Sequence, residues 1–98
     1  MRPSLQEFIT GEQIRAARAL VRLEQAELAR RTGLSLETIK RLERTRGRVE
    51  AHASTLRALR ETFEGLGVRL IWRFDGAVGV GLAPPPGTAR PAFAPAGV

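Results

Sequence analysis

Seven basic side chains crowd into one short stretch of this 98-residue chain, between residues 30 and 48. Only two carboxylates accompany them, Glu37 and Glu43, so the stretch holds a net charge of +5 out of a total of +6. The basic residues are Arg30, Arg31, Lys40, Arg41, Arg44, Arg46 and Arg48. Guanidinium and ammonium groups bind phosphate oxygens, and a guanidinium group can also donate two hydrogen bonds to the edge of a guanine. This chemistry predicts a polyanionic partner, and duplex DNA is the one such a patch fits best.

Catalytic and metal chemistry have no comparable set of residues. The chain has no cysteine and one histidine, His52, which excludes a disulfide framework and a thiolate zinc site and leaves too few ligands for a histidine site. A length of 98 residues allows one small domain with a modest core. We therefore expect no enzymatic activity, no catalytic residue, no metal and no cofactor.

No targeting or membrane segment stands out in the sequence. The N-terminal residues lack an apolar run long enough for a signal peptide, and no stretch approaches the length of a membrane span. We expect a soluble cytoplasmic protein that associates with the nucleoid if its partner is DNA.

The elements that must hold the basic residues are two helices joined by a tight turn. Leu28 and Ala29 begin one apolar helical face, and a second helical pattern runs through Ile39 and Leu42 after a short interruption. Gly33 suits the left-handed C-cap of the first helix. Ser35 can accept a hydrogen bond from a backbone N–H as the N-cap of the second helix, which we expect over residues 36–44.

This pair of helices resembles the helix-turn-helix of the Cro and phage-repressor family, also called the xenobiotic-response-element family, and the resemblance extends from about Gly11 to about Phe63. The six matching positions are Leu28, Ala29, Gly33, Leu34, Ile39 and Leu42. The resemblance implies that Gln25 hydrogen-bonds a backbone phosphate. It also implies an ion pair between Arg18 and Glu43, which at the surface would stabilise the fold by about 0–1 kcal/mol. The chain departs from the family at Glu24, where a better N-cap is normal.

The second helix of the motif is the candidate recognition helix. If Ile39 and Leu42 face the core, the helical period turns the other side of the helix toward a major groove. Arg41 can then address a guanine, and Glu37 can accept from cytosine. The full set of predicted DNA contacts is Gln25, Ser35, Leu36, Glu37, Thr38, Lys40, Arg41, Arg44, Arg46 and Arg48.

Within that set the expected roles differ. Leu36 can lie against a thymine methyl group, while Ser35 and Thr38 can hydrogen-bond a phosphate or a base. The four basic residues that flank the helix or follow it in the loop are expected to bind phosphates, which position a protein without reading sequence. They are Lys40, Arg44, Arg46 and Arg48.

The rest of the chain divides into segments around the motif. Residues 1–10 are predicted as an N-terminal arm or a short helix, and residues 11–66 as the helix-turn-helix domain. Residues 67–83 are predicted to form a β-hairpin. Residues 84–98 form a proline- and alanine-rich tail without a helical or strand period. Within the domain, Thr10 or Gly11 starts the first helix and Ser54 opens the last one. The predicted fold is mainly α, with four to five helices in a repressor-like arrangement.

The hairpin signal is Asp75-Gly76 between two runs of strand-forming residues. A two-residue turn there pairs Leu70 with Gly81 and Trp72 with Gly79. One face then carries large residues over glycines, and the other face, which includes Ile71 and Val80, is left uncovered. We expect a second copy of the chain to cover it, giving a homodimer through residues 68–82; the alternative is a monomer in which the tail folds back.

These features predict a sequence-specific, DNA-binding transcriptional regulator. The alternative is an antitoxin-type or other interaction module, in which the helix-turn-helix regulates its own operon and the hairpin or the tail binds a protein partner. Both functions include DNA binding, and they differ in what the C-terminal third of the chain binds.

Overall fold

A computed structural model of the chain describes residues 8–84, which contain four helices and two strands. The elements in chain order are α1 (Gly11–Val21), α2 (Gln25–Thr32), α3 (Leu36–Arg44), α4 (Ala53–Gly65), β1 (Val68–Trp72) and β2 (Val78–Leu82). The two strands form an antiparallel hairpin. The mainly α fold with a C-terminal hairpin is therefore as predicted, and the proline-rich tail from residue 85 lies outside the described residues.

The first helix begins with a capping box. Thr10 accepts from the backbone N–H of Gln13 at 3.0 Å, and the Gln13 side chain accepts from the backbone N–H of Thr10 at 3.0 Å. The Gln13 amide also donates to the backbone oxygens of Ile71, at 3.2 Å, and Gly79, at 3.0 Å. One buried side chain therefore fixes the start of α1 and ties it to both strands of the hairpin.

The turn between α2 and α3 has the predicted punctuation. Gly33 has a φ of 78°, in the left-handed region where a residue with a Cβ is strained, and its N–H donates to Ala29 O at 2.9 Å. The Ser35 hydroxyl accepts from Thr38 N at 3.0 Å. The limits of α3, Leu36–Arg44, match the predicted ones. Gly33, which ends α2, and Ser35, which starts α3, are both signals that the local sequence carries.

The core lies among all four helices and the start of the hairpin. Ile39 and Leu42 from α3 are fully buried, as predicted, together with Leu59 and Phe63 from α4. The remaining buried apolar residues are Ile9, Ile14, Ala17, Leu28, Ala29, Val49 and Val68. Leu20 of α1 is 39% exposed and lies outside this core. The core thus closes around the inner face of α3.

One helix boundary differs from the expectation. The last helix starts at Ala53, one residue before the predicted Ser54, and its N-cap His52 makes no side-chain capping bond. Residues 8–10 are not helical: Ile9 is fully buried, and Thr10 forms an isolated bridge with Arg48. The N-terminal segment is therefore extended where it meets the core, while residues 1–7 of the predicted arm lie outside the described part of the chain.

The hairpin has a different register from the predicted one. Leu70 pairs with Val80 and Trp72 with Val78, rather than with Gly81 and Gly79. The loop contains three residues, since Arg73 N donates to Ala77 O at 2.8 Å across it. Asp75 stabilises this longer loop by accepting from the Ala77 N–H at 3.0 Å, and Gly76 adopts the positive φ of 95° that it needs.

The shift of one residue moves the side chains of β2 to the opposite face relative to those of β1. Leu70 and Val80 now face the helices and pack against the core. The opposite face carries Ile71, which is 42% exposed, beside glycines and exposed arginines. The predicted uncovered face of Ile71 and Val80, on which we based the homodimer, is therefore wrong, because the shifted register places Val80 on the same face as Leu70. Among the described helices, none is long and apolar enough to cross a membrane.

Candidate nucleic-acid interface

The third helix has one buried face and one exposed face. Ile39 and Leu42 are fully buried and Glu43 is 4% exposed. On the other side the residues at the predicted groove-facing positions reach solvent: Leu36, Glu37, Arg41 and Arg44 are exposed, and Thr38 and Lys40 are half-buried. The structure therefore brings the predicted base-reading residues together on a single helix face.

Glu43 anchors the buried end of α3 to two other helices. Its carboxylate accepts from Arg18 of α1 at 2.6 Å and 2.9 Å, and from the side-chain amide of Gln25 of α2 at 3.0 Å. Arg18 donates in addition to Leu23 O at 2.8 Å. The Arg18–Glu43 pair is confirmed, but it is not the exposed surface pair that we expected, because the carboxylate is almost fully buried. The pairing also raises the pKa of Arg18.

This network gives Gln25 a role that the sequence did not predict. We expected its amide at a phosphate, and one of its two amide hydrogens is directed to Glu43 instead. The second hydrogen of the same nitrogen is still available for another acceptor. Gln25 is half-buried at the start of α2, where the first-turn N–H groups of the helix also lack intrahelical partners.

A depression beside the start of α2 is lined by three arginines, of which only Arg18 has a role predicted from the sequence. Arg15, Arg18 and Arg22 line it together with Glu24 and Gln25. Glu24 makes no side-chain capping bond, as expected of a poor cap. The spacing of the three arginines, at i, i+3 and i+7 of α1, is a signal from which the sequence could have predicted one basic helix face.

Arg15 also holds the C-terminal end of α3, since its guanidinium donates to the backbone oxygen of Glu43. At the other end, Ser35 caps the helix and donates its own hydroxyl hydrogen to the Thr38 hydroxyl at 2.8 Å. Ser35 is thus occupied as a cap, whereas the Thr38 hydroxyl keeps its hydrogen for another acceptor. Both ends of α3 are fixed before any ligand arrives.

The basic residues fall into two groups by their ion pairs. Arg30 and Arg31 both pair with Glu27 on their own helix, and these pairs lower the pKa of Glu27. Lys40, Arg41, Arg44 and Arg46 form no ion pair with any carboxylate in residues 8–84. Within the basic stretch 30–48, the charges without an ion pair in the described part of the chain therefore lie on α3 and the loop that follows it.

That loop is attached to the first turn of α1. Gly47 N donates to the Glu12 carboxylate at 3.0 Å, and Gly47 O accepts from Gly11 N at 3.0 Å. The hydrogen bond from Gly47 holds the pKa of Glu12 below its usual value, with a smaller contribution from Arg46. The loop is thus fixed in position, and Arg46 remains exposed on it.

Arg48, at the end of the loop, is exposed to solvent but also contacts an aromatic ring. Its guanidinium carbon lies 4.4 Å from the centre of the Phe8 ring, a cation–π contact. Phe8 in turn packs edge-on against Trp72, whose indole N–H donates to Phe8 O at 3.2 Å. We predicted Arg48 as a phosphate ligand; the structure adds this contact with the hairpin side of the molecule.

Gly11, predicted from the sequence only as a possible start of α1, is a point of close contact between two helices. A Cβ at Gly11 would lie 2.0 Å from Thr45 O and 2.7 Å from Leu42 O. The backbone of α1 therefore touches the C-terminal end of α3 directly. The sequence holds no local signal for this contact, because the two segments are more than thirty residues apart.

Within residues 8–84 there is no group of three or more histidine, aspartate and glutamate side chains that could hold a metal ion. Comparison with known proteins gives no match, either to a protein-family model or to a curated protein sequence. A function for this chain must therefore be inferred from its own geometry and from the resemblance of its motif to the Cro and phage-repressor helix-turn-helix.

Proposed function

We propose that this chain is a sequence-specific, DNA-binding transcriptional regulator, and that α2, the turn and α3 act as a helix-turn-helix of the Cro and phage-repressor type. The observation that carries the proposal is the exposed face of α3. It presents the side chains of Arg41, Arg44 and Glu37 without an ion pair to any group in residues 8–84, on a helix whose other face and both ends are fixed. A preorganised helix with unpaired cations on one side suits the major groove of DNA.

Three residues on this face have the chemistry to read bases. Arg41 donates to guanine O6 and N7, Glu37 accepts from cytosine N4, and Leu36, which is 36% exposed, contacts a thymine methyl group. Thr38 is half-buried at the margin of the face and donates its hydroxyl to a base or a phosphate. Ser35 serves mainly to start the helix at the correct residue.

Phosphate contacts come from both sides of the recognition helix. Lys40, Arg44 and Arg46, which form no ion pair within residues 8–84, supply positive charge along α3 and its following loop. Gln25 supplies its second amide hydrogen beside the first-turn N–H groups of α2, a favourable site for an anion, and the depression lined by Arg15 and Arg22 lies next to it. Arg48 contributes from its stacked position on Phe8.

The proposal implies a non-enzymatic protein in the cytoplasm of its cell, associated with the nucleoid through its DNA partner. It also implies strong salt dependence. Each phosphate contact that is lost reduces the slope of log K against log salt by about 0.9. Binding that did not weaken with salt would contradict a contact of this kind.

In vitro selection from a pool of randomised duplexes tests the proposal. We expect one short sequence to be enriched, and methylation of guanine N7, which lies in the major groove, to block binding to it. Arg69→Ala, which removes an exposed arginine from the hairpin, is the matched control and should select the same sequence. A pool that shows no enrichment with the wild-type chain would refute sequence-specific binding.

A further inference from the structure

A depression of about 540 Å³ lies between α3 and the start of α4, and we call it the α3–α4 depression. Thr38 and Arg41 line it from α3, and His52 and Thr55 line it from the α4 side. The remaining residues of its wall are Leu34, Glu50 and Ala51. His52, the single histidine of the chain, therefore opens onto the same space as Arg41, the guanine-reading residue of the proposed function.

The imidazole of His52 has no structural task within residues 8–84. His52 is the N-cap residue of α4, but its side chain makes no capping bond. The helix begins there through the backbone oxygen of His52, which accepts from Leu56 N at 3.1 Å. The side chain is exposed, and it forms no hydrogen bond or ion pair with another described residue. Both ring nitrogens are therefore available to a ligand.

The net charge of the α3–α4 depression depends on the protonation of His52. Arg41 and Glu50 are the other charged residues that line it, and neither forms an ion pair within the described part of the chain. The first turn of α4 adds no acidic residue, and Arg57 and Arg60 line a different depression. Because the charges of Arg41 and Glu50 cancel, the depression is neutral with a neutral imidazole and positive with a protonated one. Histidine side chains change charge between about pH 5 and pH 8.

A duplex bound to α3 brings a phosphate strand to this depression. A helix in the major groove lies between the two phosphate strands that border the groove, so a depression along its side faces one of them. In the proposed function Arg41 turns to a base edge, which leaves Glu50 as the other charged side chain beside the strand. A carboxylate repels a phosphate, and a protonated imidazole offsets that repulsion and donates a charge-assisted hydrogen bond.

We propose that His52 is a phosphate ligand of the DNA interface in its protonated form, so that the affinity of the chain for duplex DNA rises as the pH falls. This inference rests on the proposed function, to which it adds one contact and one form of regulation. Since a bound phosphate favours the protonated ring, binding takes up a proton wherever the imidazole of the free chain is neutral. A cell that becomes more acidic would thereby strengthen the complex.

Titration of the intact chain with a selected duplex and a scrambled duplex, at about pH 5.5 and about pH 7.5 and at equal ionic strength, tests the inference. We expect the wild type to bind both duplexes about three- to tenfold more tightly at the lower pH, because a phosphate contact does not depend on base sequence. The slope of log K against log salt should also be steeper by about 0.9 at the lower pH, as one more phosphate contact requires.

His52→Gln and His52→Arg supply a permanently neutral and a permanently charged side chain at the same position. Glutamine should give the weaker, high-pH affinity of the wild type at both pH values, and arginine the tighter, low-pH affinity at both. These chains share every other titratable group, so a difference between their pH profiles belongs to residue 52. The matched control moves the histidine to the exposed hairpin, by Arg69→His in the His52→Gln chain, and should not restore the pH dependence. Urea unfolding at both pH values verifies that each variant is folded.

Equal wild-type affinity at the two pH values overturns the inference, as does a His52→Gln chain that keeps the full pH dependence. A pH effect on the selected duplex alone also overturns it, because a phosphate contact acts on both duplexes. A chain that selects one duplex sequence and binds it without pH dependence leaves the proposed function intact. Failure to select any sequence refutes the proposed function instead, and a pH dependence on random duplexes that His52→Gln removes would still support the phosphate contact.

Discussion

Arg18 on α1 and Glu43 on α3 form a two-point ion pair, with Nε 2.6 Å from Oε2 and Nη2 2.9 Å from Oε1. The Glu43 side chain is 4% exposed and that of Arg18 is 23% exposed, so most of the pair is shielded from water. Since Arg18 also holds Leu23 O, this one side chain joins α1, the loop before α2, and α3. The pair therefore holds α3 against α1.

Removal of Arg18 should therefore cost far more stability than removal of a surface arginine. Arg18→Ala leaves a buried carboxylate without its main partner, and we expect the free energy of unfolding to fall by about 3 kcal/mol. Arg30→Ala, which breaks an exposed pair with Glu27, is the control and should change it by about 0–1 kcal/mol. Urea unfolding of the two variants measures the difference, and equal losses would contradict the anchoring role.

The contact of Gly11 with the end of α3 predicts an unusual response to alanine. Although alanine favours helices, Gly11→Ala should lower the free energy of unfolding by about 1–3 kcal/mol, because the new methyl group meets two carbonyl oxygens. Gly65→Ala at the end of α4 has open space around its Cβ and should leave stability unchanged or raise it by up to about 1 kcal/mol. Thermal or urea unfolding of both variants tests this, and a stabilised Gly11→Ala would disprove the close approach.

Acid should loosen the loop that carries Arg46. The hydrogen bond from the Gly47 N–H lowers the pKa of Glu12 in the folded chain. This hydrogen bond therefore stabilises the fold at pH values above the unfolded pKa of Glu12. The stabilisation is lost as the pH falls through the lower, folded pKa. Stability measured against pH should therefore decline in the acidic range below the usual glutamate value of 4.5. Glu12→Gln should make that decline shallower, and a variant curve parallel to the wild type would count against the bond.

The hairpin register can be checked by NMR. Unbonded antiparallel pairs bring opposite Cα atoms within about 4.5 Å, so strong contacts between α-hydrogens are expected for Leu70 with Val80 and for Trp72 with Val78. A two-residue turn would instead bring Leu70 opposite Gly81. Asp75→Ala removes the acceptor for Ala77 N and should weaken these contacts first near the loop.

The sequence predicted what depends on neighbours in the chain. The cap at Ser35, the left-handed Gly33 and the burial of Ile39 and Leu42 follow from residue type and helical period, and all are confirmed. The Arg18–Glu43 pair was expected from the resemblance of the motif. These features define α3 and its exposed face.

The features that the sequence did not predict depend on contacts between distant segments or on which group a single side chain binds. The Asp75 carboxylate favours a three-residue loop, and this shifts the register of the whole hairpin. Gln13 bonds two strands almost sixty residues or more away, and Gly11 meets a backbone more than thirty residues away. No local pattern encodes either contact, so both required the folded structure.

The central claim is that α3 reads base sequence, and the affinity of single-arginine variants for two duplexes tests it most directly. The selected duplex and a scrambled duplex of equal length and composition are titrated with the wild type, Arg41→Ala and Arg46→Ala. Arg41→Ala should lose about 1–3 kcal/mol on the selected duplex and little on the scrambled one. Arg46→Ala should weaken both equally and reduce the salt slope by about 0.9. If Arg41→Ala weakens both duplexes by the same factor, α3 does not read sequence and the account is wrong.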